Sequence, residues 1–324
     1  MFQHVPGGGS PGGAGAGGGP GGAPRAGMGS RDAGLHRVMT TSDTATPDLG
    51  RFGFFGISAT PDQAQEIERL GYGTIWIGGS PPAELSFVEP LLEATTTLKV
   101  ATGIVNIWTA AARPVAESFH RINAAYPGRF VLGIGVGHPE VQGQQYRKPY
   151  EELVSYLDEL DEYGVPADQR VLAAQGPRVL RLSAERTAGA HPANATPEHS
   201  AQAREIIGPN ALLAPVHSVV LSADAEEARA IARMALDHYF SLTNYVSSWK
   251  RLGFTDADVT RPGSDKFIDA VVAHGTPEQI AKRLGEYLQA GANHVAILAA
   301  GVYDNPLPIL TELAGPLGLS RQHA

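Results

Sequence analysis

The chain has 324 residues, with 25 Lys+Arg, 33 Asp+Glu, a formal net charge of −8 and no cysteine. The absence of cysteine excludes disulfides, thiolate metal sites and cysteine nucleophiles. The acidic balance argues against a general nucleic-acid or anionic-membrane footprint, which needs a basic surface. No stretch approaches the roughly 20 apolar residues of a membrane span.

Residues 1–38 hold 14 of the 39 glycines and 4 of the 24 prolines. Such a segment buries too little surface to offset its ordering entropy, so residues 1–48 are expected to form a disordered tail. It has no apolar signal region, a cytoplasmic location is expected, and Met39 is a candidate native start. Without residues 1–38 the chain carries 22 basic and 32 acidic side chains, a net charge of −10. Any anionic ligand then needs a local basic pocket.

From residue 49 to 324 a single domain is expected, built from alternating strands and helices. Phe52–Ile57 reads as a strand. Thr60-Pro61-Asp62-Gln63 then opens a helix, with a threonine N-cap, proline at the first helical position and glutamine placed for a capping box. The device recurs at Thr276-Pro277-Glu278-Gln279 and, with histidine in place of glutamine, at Thr196-Pro197-Glu198-His199. Further strands are predicted at 73–77, 98–104, 129–136, 170–174, 189–191, 218–221 and 294–298. Helices are predicted near 84–94, 112–126, 149–162, 177–187, 197–207 and 224–242. Eight strands alternating with helices over about 250 residues fit a (β/α)8 TIM barrel, with a doubly wound open sheet as the alternative. An excursion between Asp237 and Gly275, bearing Tyr239, Tyr245, Trp249 and Phe254, is expected to be a helical insertion before the last βα unit.

A barrel carries its site at the C-terminal strand ends. The residues there are Gly103-Ile104-Val105-Asn106-Ile107-Trp108, Gly133-Ile134-Gly135-Val136-Gly137-His138, Gln175-Gly176-Pro177-Arg178 and His191-Pro192-Ala193-Asn194. Glycines permit close approach of a flat ligand or a phosphate, or simply end a strand. Gly176-Pro177 starts a helix whose free N–H groups suit a phosphate, or is an ordinary cap. His138 is a general-acid candidate or a packed histidine. Trp108 stacks on a ring or belongs to the rim, and Glu140 reads as a solvated charge. His191 and His199 lack a third ligand, so no metal site is expected.

Several segments, taken together and in order, resemble the luciferase-like monooxygenase superfamily, and within it the branch using the deazaflavin coenzyme F420. They are Leu70–Gly78, Leu98–Ile104, Arg129–His138, Val171–Arg178, Ala184–His191 and Gly275–Ile280 with Gly291–Val295. The resemblance covers about residues 50–300 and implies the barrel rather than the open sheet. It implies a non-prolyl cis peptide at Gly103–Ile104 supporting the cofactor ring, with Asn106 at the ring edge and Gly135, Val136 and Gly137 beside it. Gln175, Gly176 and Pro177, with Ala193 and Asn194, would meet the tail phosphate, and Arg178, Arg147 and Lys148 would supply positive charge. Trp108, His191, Tyr239, Tyr245 and Trp249 would line the substrate pocket.

Sugar-phosphate dehydrogenases of this superfamily place an Asp-His pair after the second strand, where this chain has Gly79-Ser80. Their glutamate acid is replaced by His138. The resemblance therefore implies an F420-dependent oxidoreductase that passes a hydride to an activated C=C or C=O of a small organic substrate, with His138 as proton donor. The alternatives are an FMN-dependent monooxygenase and a non-catalytic flavin-binding relative. A metal hydrolase would require a carboxylate-histidine cluster that the sequence does not supply. Family members are often homodimers, although no interface signature is visible.

Overall fold

The structure is a computed structural model that describes residues 46–302 and 304–320. The Gly/Pro-rich tail up to residue 45 and the start at Met39 lie outside the described residues. The strands are β1 (Phe52–Gly56), β2 (Thr74–Ile77), β3 (Lys99–Thr102), β4 (Val105–Asn106), β5 (Phe130–Gly135), β6 (Arg170–Leu172), β7 (Gly189–Ala190), β8 (Leu212–Leu213), β9 (Val216–Leu221), β10 (Val272–Gly275) and β11 (Val295–Ala299). The helices are α1 (Pro61–Arg69), α2 (Val88–Glu93), α3 (Ala112–Ala125), α4 (Pro139–Gln142), α5 (Pro149–Glu162), α6 (Pro177–Arg186), α7 (Pro197–Ile207), α8 (Ala225–Leu236), α9 (Thr243–Arg251), α10 (Asp256–Val259), α11 (Asp265–Val271), α12 (Pro277–Gln289) and α13 (Leu307–Ala314).

All strand ladders are parallel, running β9–β11–β1–β2–β3–β5–β6–β7–β8. Two residues after β8 the same run of chain becomes β9. The Val216 N–H donates to the Pro192 carbonyl at 2.9 Å, and a parallel bridge joins Ala193 to Val216. The curled sheet thus returns on itself, as the predicted TIM barrel requires.

The eight predicted strands are present, but the seventh begins earlier, at residue 212, with a break at Ala214-Pro215. The sequence reading missed β10, which pairs with β9. Its Val-Ala-His-Gly lies at the end of the excursion and is too short for an alternating pattern to declare it.

Caps behave as their chemistry dictates. Thr60 and Thr276 form reciprocal capping boxes with Gln63 and Gln279. Thr196 makes no side-chain cap, and its side chain is hydrogen-bonded to the Glu198 carboxylate instead. The excursion folds as a short 3-10 turn (Asp237–Ser241) followed by α9, α10, α11 and β10. Its apolar residues, Trp249, Val259, Phe267, Ile268 and Val271, form a separate cluster with Tyr239, Phe240, Tyr245 and Phe254 packed against it.

Inside the barrel, Trp76 is fully buried, lies nearly parallel to His191 with ring centroids 4.0 Å apart, and donates its indole N–H to His294 Nε2 at 3.0 Å. Outside, the strands are covered by the apolar faces of the helices in one continuous core.

Strand β3 separates from β5 after Thr102 and rejoins it as β4, where Asn106 is opposite Gly135. Across the gap, the Thr102 hydroxyl donates to the Gly133 carbonyl at 2.9 Å and accepts from the Gly133 N–H at 2.8 Å. Position 133 must be glycine, since a Cβ there would lie 1.9 Å from the Thr102 carbonyl oxygen. Thr102→Val keeps the shape but leaves two buried backbone groups unpaired. It is expected to cost about 1–3 kcal/mol in urea unfolding, with Thr102→Ser recovering most of the loss.

Candidate active site

The turn between β3 and β4 contains a cis peptide at Gly103–Ile104. Phe55 from β1 fills the space beneath it, because a Cβ on Gly78 or Gly103 would meet the Phe55 ring at 2.8 or 2.5 Å. The Ile104 side chain lies against β5, where a Cβ on Gly135 would approach its Cγ1 to 2.8 Å. Beyond the turn, Asn106 is buried and its Oδ1 accepts the Trp108 N–H at 3.1 Å. Gly137 has φ +61°, and a Cβ there would meet Asn106 Nδ2 at 2.8 Å. Trp108 donates its indole N–H to the Val136 carbonyl at 2.7 Å. Gly103, Ile104, Asn106, Trp108, Gly135, Val136 and Gly137 therefore meet at one side of the mouth.

His138 follows directly as the N-cap of α4, in extended conformation and without a side-chain cap. Its ring faces Tyr245 at 5.2 Å between centroids, and its Nδ1 is buried with no hydrogen-bond partner. Burial lowers its pKa below the ordinary 6.5, the Glu140 carboxylate works in the opposite direction, and His238 reinforces the lowering. Tyr239 packs edge-on to Tyr245 at 4.9 Å, and Tyr146 lies 5.9 Å from Trp108. These aromatic rings and His138 form a collar around the mouth. Burial raises the Tyr245 pKa, so its hydroxyl keeps its proton.

On the opposite side, Gln175 donates its side-chain N–H to the Ala193 carbonyl, and its own backbone carbonyl lies 2.9 Å from His199 Nε2. Gly176 caps α6 with Pro177 at the first helical position and no side-chain cap bond. Asn194 has φ +48°, and its carbonyl accepts the Trp249 indole N–H at 2.8 Å. A cavity of about 60 Å³ remains between α6, α7 and α9, bordered by Gln175, Pro177, His199, Ser248 and Arg251. Gln175, Gly176, Pro177, Ala193 and Asn194 are thus held together by the insertion.

Some expectations require correction. His191 does not face a substrate pocket. It is buried in the barrel, bonded through Nδ1 to the Ala214 carbonyl at 2.6 Å, and burial lowers its pKa to about 4. Trp249 is also fully buried, as an anchor of the insertion. Arg178 packs 3.5 Å above the Tyr150 ring and pairs with Glu151 at 3.6 Å. Arg147 is exposed, and Lys148 is the left-handed N-cap of α5.

Glu140 is more than a solvated charge. Its Oε1 accepts from the Thr243 N–H at 2.9 Å and from the Thr243 hydroxyl, closing the first turn of α9 from across the mouth. Burial would raise the Glu140 pKa, but these bonds outweigh it and the net shift is downward. Sequence reasoning also missed Phe55, Ser248, Arg251 and the anchoring of His199. Their roles depend on where the insertion and β1 lie, which local patterns do not encode. A capping contribution of this kind is about 1 kcal/mol. Glu140→Ala is therefore expected to speed hydrogen exchange in the first turns of α9 about fivefold while leaving the barrel strands unchanged.

The luciferase-like monooxygenase family model matches residues 35–163. The 5,10-methylenetetrahydromethanopterin reductase of Archaeoglobus fulgidus is 25% identical over 304 residues, covering 74% of this chain and 92% of that protein. The N-acetyl-S-alkylcysteine monooxygenase of Bacillus subtilis is 28% identical over 116 residues, 31% of this chain, and the match spans only 34% of that protein. Among solved structures, an F420-dependent secondary alcohol dehydrogenase bound to an F420-acetone adduct superposes with a TM-score of 0.63 at 15% identity, over 82% of this chain and 98% of that one. The FMN-bound oxygenating constituent of 3,6-diketocamphane monooxygenase from Pseudomonas putida does so at 0.58 and 14% identity, over 84% and 97%. Over the matched segment the chain is similar to the luciferase-like monooxygenase family, and it shares its barrel fold with these solved structures.

Proposed function

We propose that this chain is an F420-dependent oxidoreductase in which a hydride passes between the reduced deazaflavin and an activated C=C or C=O of a small organic substrate. The coarser statement, a flavin- or deazaflavin-dependent oxidoreductase, is supported by the family model over residues 35–163 and by the similar proteins. The finer one is supported by the methanopterin reductase aligned over 92% of its length and by the F420-dependent dehydrogenase with the same fold. The observation that carries it in this chain is His138. Its Nδ1 is buried without a partner at the collar, beside the glycine-rich end of β5. A buried polar atom left unpaired is costly, so the arrangement suits a group that donates to or accepts from something entering the mouth.

When bound, the deazaflavin supplies the hydride. The ring would rest against the Gly103–Ile104 turn and the Gly135–Gly137 backbone, with Asn106 at its edge. The tail would run toward Gln175, Gly176 and Pro177 with Ala193 and Asn194. Trp108, Tyr239 and Tyr245 would enclose the substrate and exclude water. His138 would hold the proton that the substrate takes up as it is reduced. An imidazole with a lowered pKa carries that proton only on the acid side of neutrality. Reduction should therefore slow as pH rises through a value below 6.5, whereas oxidation in the reverse direction should accelerate.

The FMN reading has support of its own in a monooxygenase similar to part of this chain in sequence and in an FMN-bound monooxygenase constituent with the same fold. A deazaflavin has carbon in place of the flavin's reactive ring nitrogen, so it passes hydride and activates oxygen poorly. Anaerobic mixing of the protein and reduced F420 with enones and quinones should give cofactor oxidation. His138→Asn is expected to lower kcat about 10²-fold or more, to abolish the acid limb, and to leave cofactor affinity unchanged. Unchanged turnover in that variant would refute the acid role. Turnover that needs FMN and oxygen would establish a monooxygenase, and cofactor binding without turnover would point to the non-catalytic relative.

A further inference from the structure

Glu140 is exposed at the rim of the mouth, two residues after His138 in the first turn of α4. An exposed glutamate ordinarily samples many rotamers, and water screens its charge. Here the start of α9 fixes it in place. Oε1 accepts the Thr243 N–H at 2.9 Å and the Thr243 hydroxyl, across 103 residues of sequence. Asn244 donates its side-chain N–H to the Tyr146 hydroxyl at 3.4 Å, and Tyr245 lays its ring 5.2 Å from that of His138. The insertion therefore meets the segment bearing His138 at three consecutive positions, and one of them grips a carboxylate. The charges of the pair act on each other. Burial lowers the His138 pKa and the Glu140 carboxylate opposes it; burial raises that of Glu140, and the Thr243 bonds and His138 outweigh it.

We propose that Glu140 is a positioning residue: clamped by Thr243, it keeps a negative charge beside His138, so that the proton donor is complete only when the insertion is seated. The proposal rests on the reading of His138 as that donor. Thr243 gives the carboxylate a fixed place without bringing a charge of its own. The other groups near His138 do not substitute for Glu140, the one charged side chain of α4. Tyr245 stays neutral because burial raises its pKa, Tyr239 packs edge-on to it, and His238 of the 3-10 turn acts in the opposite direction from Glu140. Asp237 on that turn is paired with Arg261, and Lys250 of α9 with Asp256, while Arg251 at the end of α9 stands beside Gly176. When α9 lifts, the carboxylate returns to solvent and His138 loses the charge that favours its protonated form. When α9 seats again, the charge is restored at the moment the mouth is covered.

Single variants of the full chain separate the charge from the clamp. Glu140→Gln keeps an oxygen for both Thr243 donors and removes the charge. Thr243→Val keeps the charge and removes the hydroxyl, and Thr243→Ser restores the hydroxyl. Both positions are exposed, so none of these changes opens the core. NMR of the His138 imidazole follows its titration without cofactor or substrate, with His138→Asn identifying its signals. The midpoint should fall in Glu140→Gln and in Thr243→Val and stay at that of the unaltered protein in Thr243→Ser. Anaerobic single-turnover oxidation of reduced F420 by an enone reads the consequence. At about pH 7, above the His138 pKa, Glu140→Gln and Thr243→Val should react about two- to fivefold more slowly, the range of a partly exposed ion pair, with F420 affinity unchanged. An unchanged midpoint in Glu140→Gln would overturn the role of the charge, and an unchanged midpoint in Thr243→Val would overturn the clamp. A midpoint in Thr243→Ser as low as in Thr243→Val would also overturn it, because the hydroxyl would then not be what positions the carboxylate. Weaker F420 binding in place of slower reaction would make Glu140 part of the cofactor site and sink the proposal. The expected midpoints in a protein that never oxidises reduced F420 would defeat the functional reading and leave the clamp standing.

Discussion

The mouth of the barrel depends on a single hydroxyl. Where β3 leaves its ladder, Thr102 replaces the missing backbone partner by bonding both the N–H and the carbonyl of Gly133. That substitution lets the chain bulge at Gly103–Ile104 without stranding buried polar groups, and lets β4 rejoin β5 two residues later. Everything on that side of the site follows in register: Asn106 against Gly137, Trp108 bonded to Val136, and His138 at the start of α4. The glycines at 133 and 135 are required first by this close packing. Their suitability for a flat ligand is a consequence of the same lack of side chains.

The second side is built differently, by side-chain donors that reach main-chain carbonyls of neighbouring loops. Gln175 bonds Ala193, His199 lies on Gln175, and Trp249 bonds Asn194. Each bond joins a separate piece of chain, so this side of the mouth is assembled only when the insertion packs. Glu140 ties the two sides together through Thr243. A covering element held by a few polar contacts and one aromatic cluster is suited to opening and closing over a ligand while the barrel stays rigid.

Much of this could be read from residues in order. Strands buried on both faces appear as short branched runs, and Thr-Pro-x-Gln announces a helix start through hydrogen bonds local to four residues, which is why Thr60 and Thr276 behave as expected. Thr196 does not, since its side chain is hydrogen-bonded to Glu198. The collar residues next to strand ends, from Gly103 to His138, were legible because the barrel puts every strand end at one face. Residues whose role depends on long-range packing were not. His191 and Trp249 looked like pocket residues by type, yet one stacks inside the barrel on Trp76 and the other anchors the insertion. Arg178 was expected near the tail phosphate from its sequence position; its guanidinium lies over the Tyr150 ring and pairs with Glu151.

The central claim is that the two sides of this mouth hold a deazaflavin. Fluorescence titration with oxidised coenzyme F420 and, separately, with FMN tests it most directly. The account predicts saturable binding of F420 that is tighter than binding of FMN. A preference for FMN would contradict the cofactor assignment and transfer the chain to oxygen chemistry, and binding of neither would contradict the assignment of the mouth itself.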